Sequence, residues 1–216
     1  MMLPTHVLVG LVVAIPISIA APELAGVAFV GGMLGGIVPD LDMYVGHRKS
    51  LHYPVYYTVF VGPSLAVALA LPSVPTVFLA VLFAGAAAHS LSDVFGGGLE
   101  LRPWEATSQR GVFDHYRQQW IAPKRWVQYD GSPGDLLLAY AIAVPLLAIV
   151  EGPYVWVVTT TLAVASLYAA VRRYLPTVLV TVLDTADARL SDDALSVIPR
   201  RYREARSGQS GTDVSK

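Results

Sequence analysis

The chain has 216 residues, 54% of them hydrophobic and only 14% charged. That is too apolar for an ordinary soluble domain of this size and long enough for one domain. A net charge of -1 provides no dense basic field, so nucleic acid is not expected as a partner. Cysteine is absent, which excludes disulfides and thiolate ligands and leaves any metal to His, Asp or Glu. The class that remains is a polytopic membrane protein.

The first apolar run spans Val7 to Ala21, with His6 at its start. Ser18-Ile19-Ala20 has the small-x-small look of a cleavage site, but no Lys or Arg precedes the run, so a cleaved signal peptide is not expected. Pro22 and Glu23 turn the chain. The second run, Leu24 to Val38, carries Gly31, Gly32, Gly35 and Gly36 as two overlapping G-x-x-x-G pairs. These suit close helix approach and are read as packing.

The stretch Gly35 to His52, GGIVPDLDMYVGHRKSLH, concentrates polar chemistry beside that run. Pro39 disfavours helical geometry at Val38, so the helix should end there. In a D-x-D pair outside a helix, Asp40 and Asp42 can turn both carboxylates to one side. His47 and His52 follow, with Arg48 and Lys49 between them. Imidazole and carboxylate together suit zinc, manganese or iron better than calcium or magnesium. Polar groups beside membrane segments are scarce and tend to be functional.

A third run covers Pro54 to Leu71, with a kink expected at Gly62-Pro63. The fourth, Thr76 to Leu91, ends in H-S-L-S-D, where His89 and Asp93 stand four apart on one helix face. Val94 to Gly134 is long and polar and opens on Gly96, Gly97 and Gly98. It interleaves Trp104, Trp120 and Trp126 with Arg102, Arg110, Arg117, Lys124 and Arg125, which suits a segment lying on lipid headgroups. A loop of this length is often a lid or binding loop; a solvated connector with a short helix near Val112 to Ile121 is the other expectation. Asp114 and His115 are adjacent there, and His115 is a reserve ligand. The fifth and sixth runs are Leu136 to Val150 and Tyr154 to Val171. Leu175 to Leu183 is too short to span, so it either prolongs the sixth helix or lies on the surface. The tail from Pro199 is arginine-rich and then polar, expected to be disordered and to touch anionic lipid. No internal repeat stands out.

The expected fold is therefore an all-α polytopic membrane helix bundle of about six transmembrane helices over residues 1–190, with 94–134 as a cytoplasmic interfacial loop and 191–216 as a polar cytoplasmic tail. Six spans place both termini on one side. His6, the Asp40 to His52 loop and the His89/Asp93 helix end all fall on that side. So does every Lys and Arg, whereas the opposite turns offer Glu23 and Glu151. The positive-inside rule makes that face cytoplasmic and the membrane the inner, cytoplasmic one.

T-H-V-L-V-G at Thr5 to Gly10, P-D-L-D at Pro39 to Asp42, H-R-x-x-x-H at His47 to His52 and H-x-x-x-D at His89 to Asp93 occur in this order. In this the chain resembles the YdjM-like family of inner-membrane metal-dependent hydrolases, associated in bacteria with LexA regulation. The family's His/Asp pattern is similar to that of zinc-dependent phospholipase C and related fungal nucleases. The resemblance covers Thr5 to Asp93 and implies metal roles for His6, Asp40, Asp42, His52, His89 and Asp93. The family often reads R-G-x-T-H-S where this chain has Arg48-Lys49-Ser50-Leu51-His52-Tyr53, so a neighbouring hydroxyl that would orient His52 is missing.

Three histidines and up to three aspartates exceed the needs of one catalytic zinc, so one or two divalent ions, zinc first and Mn2+ or Fe2+ next, are expected. Asp40 or Asp42 is a candidate bridge between two ions. Arg48 and Lys49 are candidates to hold a phosphate, helped by Arg102 and Arg110. His47 is a candidate ligand, a candidate to hold a ligand in place, or a candidate general acid. The expected activity is metal-dependent hydrolysis of a phosphoester on a membrane lipid or lipid-linked substrate. A transporter should carry ionisable groups to mid-span, whereas these lie at helix ends. A non-catalytic scaffold stapled by metal is the other rival, marked by a closed coordination shell.

Overall fold

The structure is a computed structural model that describes residues 1–187; the expected tail 191–216 lies outside the described residues. Helix dominates. Seven α-helices occur among the described residues: α1 (Leu3–Ala20), α2 (Ala25–Ile37), α3 (Pro54–Ala70), α4 (Val74–Ser92), α5 (Pro133–Leu147), α6 (Pro153–Val171) and α7 (Leu175–Asp187). Proline punctuates them. α1, α3, α4, α5 and α6 each carry Pro at the first or second helical position, where the missing N–H would have had no partner and φ is already helical. Ser73 caps α4 in a box with Thr76, and Ser132 caps α5 by accepting from the Asp135 N–H at 3.2 Å.

Four stretches are long and apolar enough to cross a bilayer: Leu3–Ala20, Pro22–Met43, Val74–Phe95 and Pro153–Val171. The second is α2 with its flanking 3-10 turns. α3 and α5 are apolar but shorter, at 17 and 15 residues. α3 continues through Gly62-Pro63 as one helix. α7 begins afresh after a turn at 172–174, so Leu175 to Leu183 does not prolong α6.

α1, α2 and α4 meet through glycine. A Cβ on Gly32 would lie 2.9 Å from the Gly10 carbonyl carbon, and one on Gly36 would lie 2.9 Å from that of His6. Those backbones touch because α2 carries no side chain at either point, and at the first α1 carries none either. The consequence reaches the polar end of the bundle: where α2 crosses α1 at Gly36, the Gly36 carbonyl is free to accept a hydrogen bond from His89 on α4.

The short helix expected near Val112 to Ile121 is instead an antiparallel hairpin. β1 (Val112–Asp114) pairs with β2 (Gln119–Ile121) in the register Val112↔Ile121. Val, Phe, Trp and Ile favour a pleated surface, and Asp114 closes the turn by accepting from the N–H groups of Tyr116 and Arg117. The hairpin docks on the polar loop before α3, where the Phe113 N–H donates to the Arg48 carbonyl at 2.9 Å. Residues 124–127 run beside 94–96 through three further backbone bonds, so the long segment folds back over the ends of α1, α2 and α4.

Gly36→Ala should lower stability by about 1–3 kcal/mol, the usual cost of overpacking a tight contact. Gly62→Ala, where a Cβ meets nothing within 4 Å, should leave it unchanged or slightly raised. Thermal unfolding in detergent reads the difference; equal transitions for the two variants would contradict the close crossing.

Candidate metal centre

Four side chains from three elements converge at one end of the bundle. Asp40 comes from the 3-10 turns after α2, His52 from the loop before α3, and His89 and Asp93 from the end of α4. One ligand atom from each lies within 4.8 Å of all the others. The individual separations are narrower. His52 Nε2 is 3.3 Å from Asp93 Oδ2 and 3.6 Å from Asp40 Oδ1. His89 Nε2 is 3.4 Å from Asp40 Oδ1 and 3.6 Å from Asp93 Oδ2.

Both histidines are held from behind. His89 Nδ1 donates to the Gly36 carbonyl at 2.7 Å, an atom that can only accept. His52 Nδ1 donates to Asp42 Oδ2 at 3.0 Å. Each ring therefore turns its Nε2 towards two carboxylate oxygens. Neither Nε2 has a hydrogen-bond partner, although both residues are fully buried. Two buried anionic oxygens facing one point need positive charge between them, which a bound cation would supply. A divalent ion in tetrahedral coordination, with bonds of about 2.1 Å, spaces its ligand atoms by about 3.4 Å. The four His–Asp separations match this spacing, so the residues fit a metal ion.

Asp42 does different work from Asp40. The D-x-D pair does not turn both carboxylates to one side, because the chain there winds as 3-10 helix over Val38–Tyr44. The two aspartates instead grip opposite edges of the His52 ring, Asp40 at Nε2 and Asp42 at Nδ1. Asp42 also accepts from His47 Nδ1 at 3.1 Å and from the N–H groups of Arg48, Lys49 and Leu51 at 3.0–3.3 Å. It is the hub of the loop, and it supplies the orientation of His52 that a neighbouring hydroxyl would otherwise provide. To bring three N–H groups round one carboxylate, Arg48 adopts a left-handed backbone with φ 59°.

Asp93 carries charge on both oxygens. Oδ2 faces the two imidazoles. Oδ1 meets His6 Nε2 at 3.1 Å and the Met1 ammonium at 2.5 Å. His6 stacks on His89, ring centroids 3.6 Å apart, and its Nδ1 contacts Ser92 Oγ at 3.3 Å. It therefore stands behind Asp93, outside the group of four. Arg48 pairs with Asp93 through Nε at 3.2 Å and donates to the Gly97 carbonyl at 2.6 Å. Its fork is engaged in positioning Asp93.

The other expected residues lie further out. Lys49 Nζ sits over the Phe113 ring at 4.3 Å, Arg110 over Trp120 at 5.8 Å, and Arg102 pairs with Glu105 at 3.6 Å on the exposed side. His115 packs on Tyr53 at 4.4 Å and is not among the four; burial and the nearby Lys49 lower its pKa. His47 flanks the cluster, its Nδ1 3.9 Å from Asp40 Oδ1. Burial lowers its pKa against the opposing pull of Asp42.

Sequence reasoning passed over two carboxylates. Asp135 is buried and accepts from the Met2 N–H, the Thr5 hydroxyl and the Gly131 N–H at 2.7–3.0 Å, pinning α5 to the start of α1. Ser132 three residues before Asp135 is a capping pattern that marks the helix start but not this long-range tie. Asp130 accepts from Tyr168 and from Arg172 Nε at 2.7 Å, fastening the long segment to α6.

Asp40, His47 and Arg48 line one end of a cavity of about 700 Å³ whose far wall is built from α6 and α7. No family model matches the chain, and neither a curated protein nor a solved structure does. Fold and site by themselves define a predominantly helical protein with four helices able to cross a membrane and a buried His/Asp group able to hold a metal ion.

Asp42→Ala should weaken metal binding by about 10- to 100-fold, the usual effect of losing the group that orients a ligating histidine. His89→Ala should remove it, and His115→Ala should not affect it. Elemental analysis of the purified proteins, followed by chelator competition, reads all three. Wild-type protein free of transition metal would remove the site.

Proposed function

We propose that the protein is a membrane-bound, metal-dependent phosphoester hydrolase acting on a lipid or lipid-linked substrate. The observation that carries the reading is the placement of the four-residue group: buried, preorganised, yet open through Asp40 and His47 to the cavity. Asp40, His52, His89 and Asp93 would hold the ion, zinc by preference, with Mn2+ or Fe2+ as substitutes. Such an ion supplies an activated water and offsets charge on phosphoryl oxygens. Asp42 holds the His52 ring and the loop; Arg48 holds Asp93. His47, on the cavity side and hydrogen-bonded through Nδ1 to Asp42, would take a proton from the attacking water at Nε2 and return it to the departing oxygen.

The membrane arrangement follows the charges. With α3 and α5 counted as crossings, six spans put both termini, the cluster and every Lys and Arg on one face, which is then cytoplasmic. A cluster at helix ends lies near headgroup depth in a bilayer whose core is about 30 Å thick. The Thr5 to Asp93 resemblance to YdjM-like hydrolases supports the same reaction class.

A second reading has its own observation. Four protein ligands already complete a tetrahedral shell, as in structural metal sites. A staple, however, needs no access, and the cavity provides it at Asp40.

The experiment uses inverted and sealed right-side-out membrane vesicles holding the protein, with phospholipids, lipid diphosphates and a soluble phosphodiester added outside. Inverted vesicles should cleave a lipid substrate, lose activity on chelation, regain it with Zn2+, Mn2+ or Fe2+, and fall to background with Asp40→Ala. Metal bound with no turnover of any ester supports the staple. Cleavage of the soluble ester alone, unaffected by replacing Trp104, Trp120 and Trp126, would falsify the lipid assignment.

A further inference from the structure

The cavity beside the metal centre has a chemical polarity of its own. One end is Asp40, His47 and Arg48; the walls beyond are apolar, formed by Leu99 and Leu101 of the long segment and by Val164, Leu175, Leu179 and Val182 of α6 and α7. Its polar wall groups away from the centre are neutralised or withdrawn. Asp130 and Arg172 hold each other through bonds of 2.7 and 3.1 Å. Glu100 buries both carboxylate oxygens beside Gly98, where neither has a hydrogen-bond partner. A volume of about 700 Å³ is within the range of small-molecule sites.

The apolar end is closed by an outward-facing wall. The α6 window is only 11% buried within the protein, and Leu175, Val178 and Val182 of α7 are exposed at 40%, 56% and 56%. With α6 as a span, such a wall would let a hydrocarbon chain reach the cavity from the bilayer edge.

We propose that this cavity receives one hydrocarbon chain of an amphiphile whose phosphate lies at the Asp40–Arg48 end. This rests on the hydrolase reading for the head and adds that the tail is bound by protein, between α6, α7 and the Leu99–Leu101 strap, instead of remaining in the bilayer. The occupant is an alkyl or prenyl chain because the lining away from the Asp40 end is predominantly apolar, and the metal proposed at that end would meet the phosphate. Residues 199–216 are a poorer match, being almost entirely polar, and the more apolar stretch 190–198 before them is the competing occupant that the test below distinguishes.

The test is binding of n-alkyl phosphates, butyl to dodecyl and below their micellar range, to the metal-loaded full chain in nanodiscs, read by displacement of a fluorescent alkyl phosphate. Each buried methylene should tighten binding by about fourfold. Leu179→Trp and Leu99→Trp fill the cavity from opposite walls and should flatten that rise for the longer chains. Leu167→Trp, on the face of α6 that is 67% exposed, should leave it intact. Retained thermal transitions show that the variants fold, and either cavity position suffices. An equal rise in all four proteins places the chain in the bilayer and overturns the proposal. So does absence of any rise, the result expected if the protein's own chain fills the space. The two readings fail separately: a chain-length rise abolished by Leu179→Trp without turnover leaves the cavity and removes the hydrolase, whereas turnover with a rise insensitive to Leu179→Trp does the reverse.

Discussion

The constraint on which the polar end of this structure depends is that two imidazole nitrogens without hydrogen-bond partners face two carboxylate oxygens in a largely buried place. Left to themselves these four atoms would be costly to bury. Everything around them serves to hold them there. The Gly36 carbonyl and the Asp42 carboxylate take the outer nitrogens of His89 and His52, fixing both tautomers. His6 attends Asp93 at the outer oxygen, and Arg48 pairs with the oxygen that faces the imidazoles. The loop from Asp42 to His52 is wound about a single carboxylate and accepts a left-handed residue at Arg48 to do so.

That arrangement requires helix backbones to lie unusually close. His6 begins α1, Asp40 follows α2 and His89 ends α4, so the three helices must cross near the same level. Glycine at the crossings permits this, and the same glycine contact that brings α2 against α1 leaves the Gly36 carbonyl in reach of His89. Packing and chemistry are thus linked through one residue. Around this core the remaining helices are fastened by buried carboxylates: Asp135 ties α5 to Met2 and Thr5, and Asp130 ties the long segment to α6. α6 itself makes little contact with the bundle, which leaves room for the cavity between it and the metal centre.

Much of this was legible in the sequence because it rests on periodicity. The apolar runs correspond to helices, and His89 and Asp93, four apart, fall on one helix face. Counting crossings brought His6, Asp40, His52 and His89 to one end. What periodicity does not encode was misjudged. The different duties of Asp40 and Asp42 depend on a 3-10 turn that no residue pattern in V-P-D-L-D announces. Arg48 looked free to bind phosphate, yet it is committed to Asp93, a partner 45 residues away. The strands of 112–121 were hidden because a three-residue strand carries too little alternation to recognise. Asp135 was overlooked because its partners lie more than a hundred residues earlier. α3 and α5, at 17 and 15 residues, were read as spans on composition, and length alone sets them apart from the four longer helices.

The claim at the centre of this account is that Asp40, His52, His89 and Asp93 together hold one metal ion. X-ray absorption at the metal edge of the purified protein measures this directly. The account predicts a first shell of nitrogen and oxygen at about 2.0–2.2 Å with the outer-shell signature of two imidazoles, falling to one in His52→Ala. A shell of oxygen only, or an imidazole count unchanged by that substitution, would contradict it.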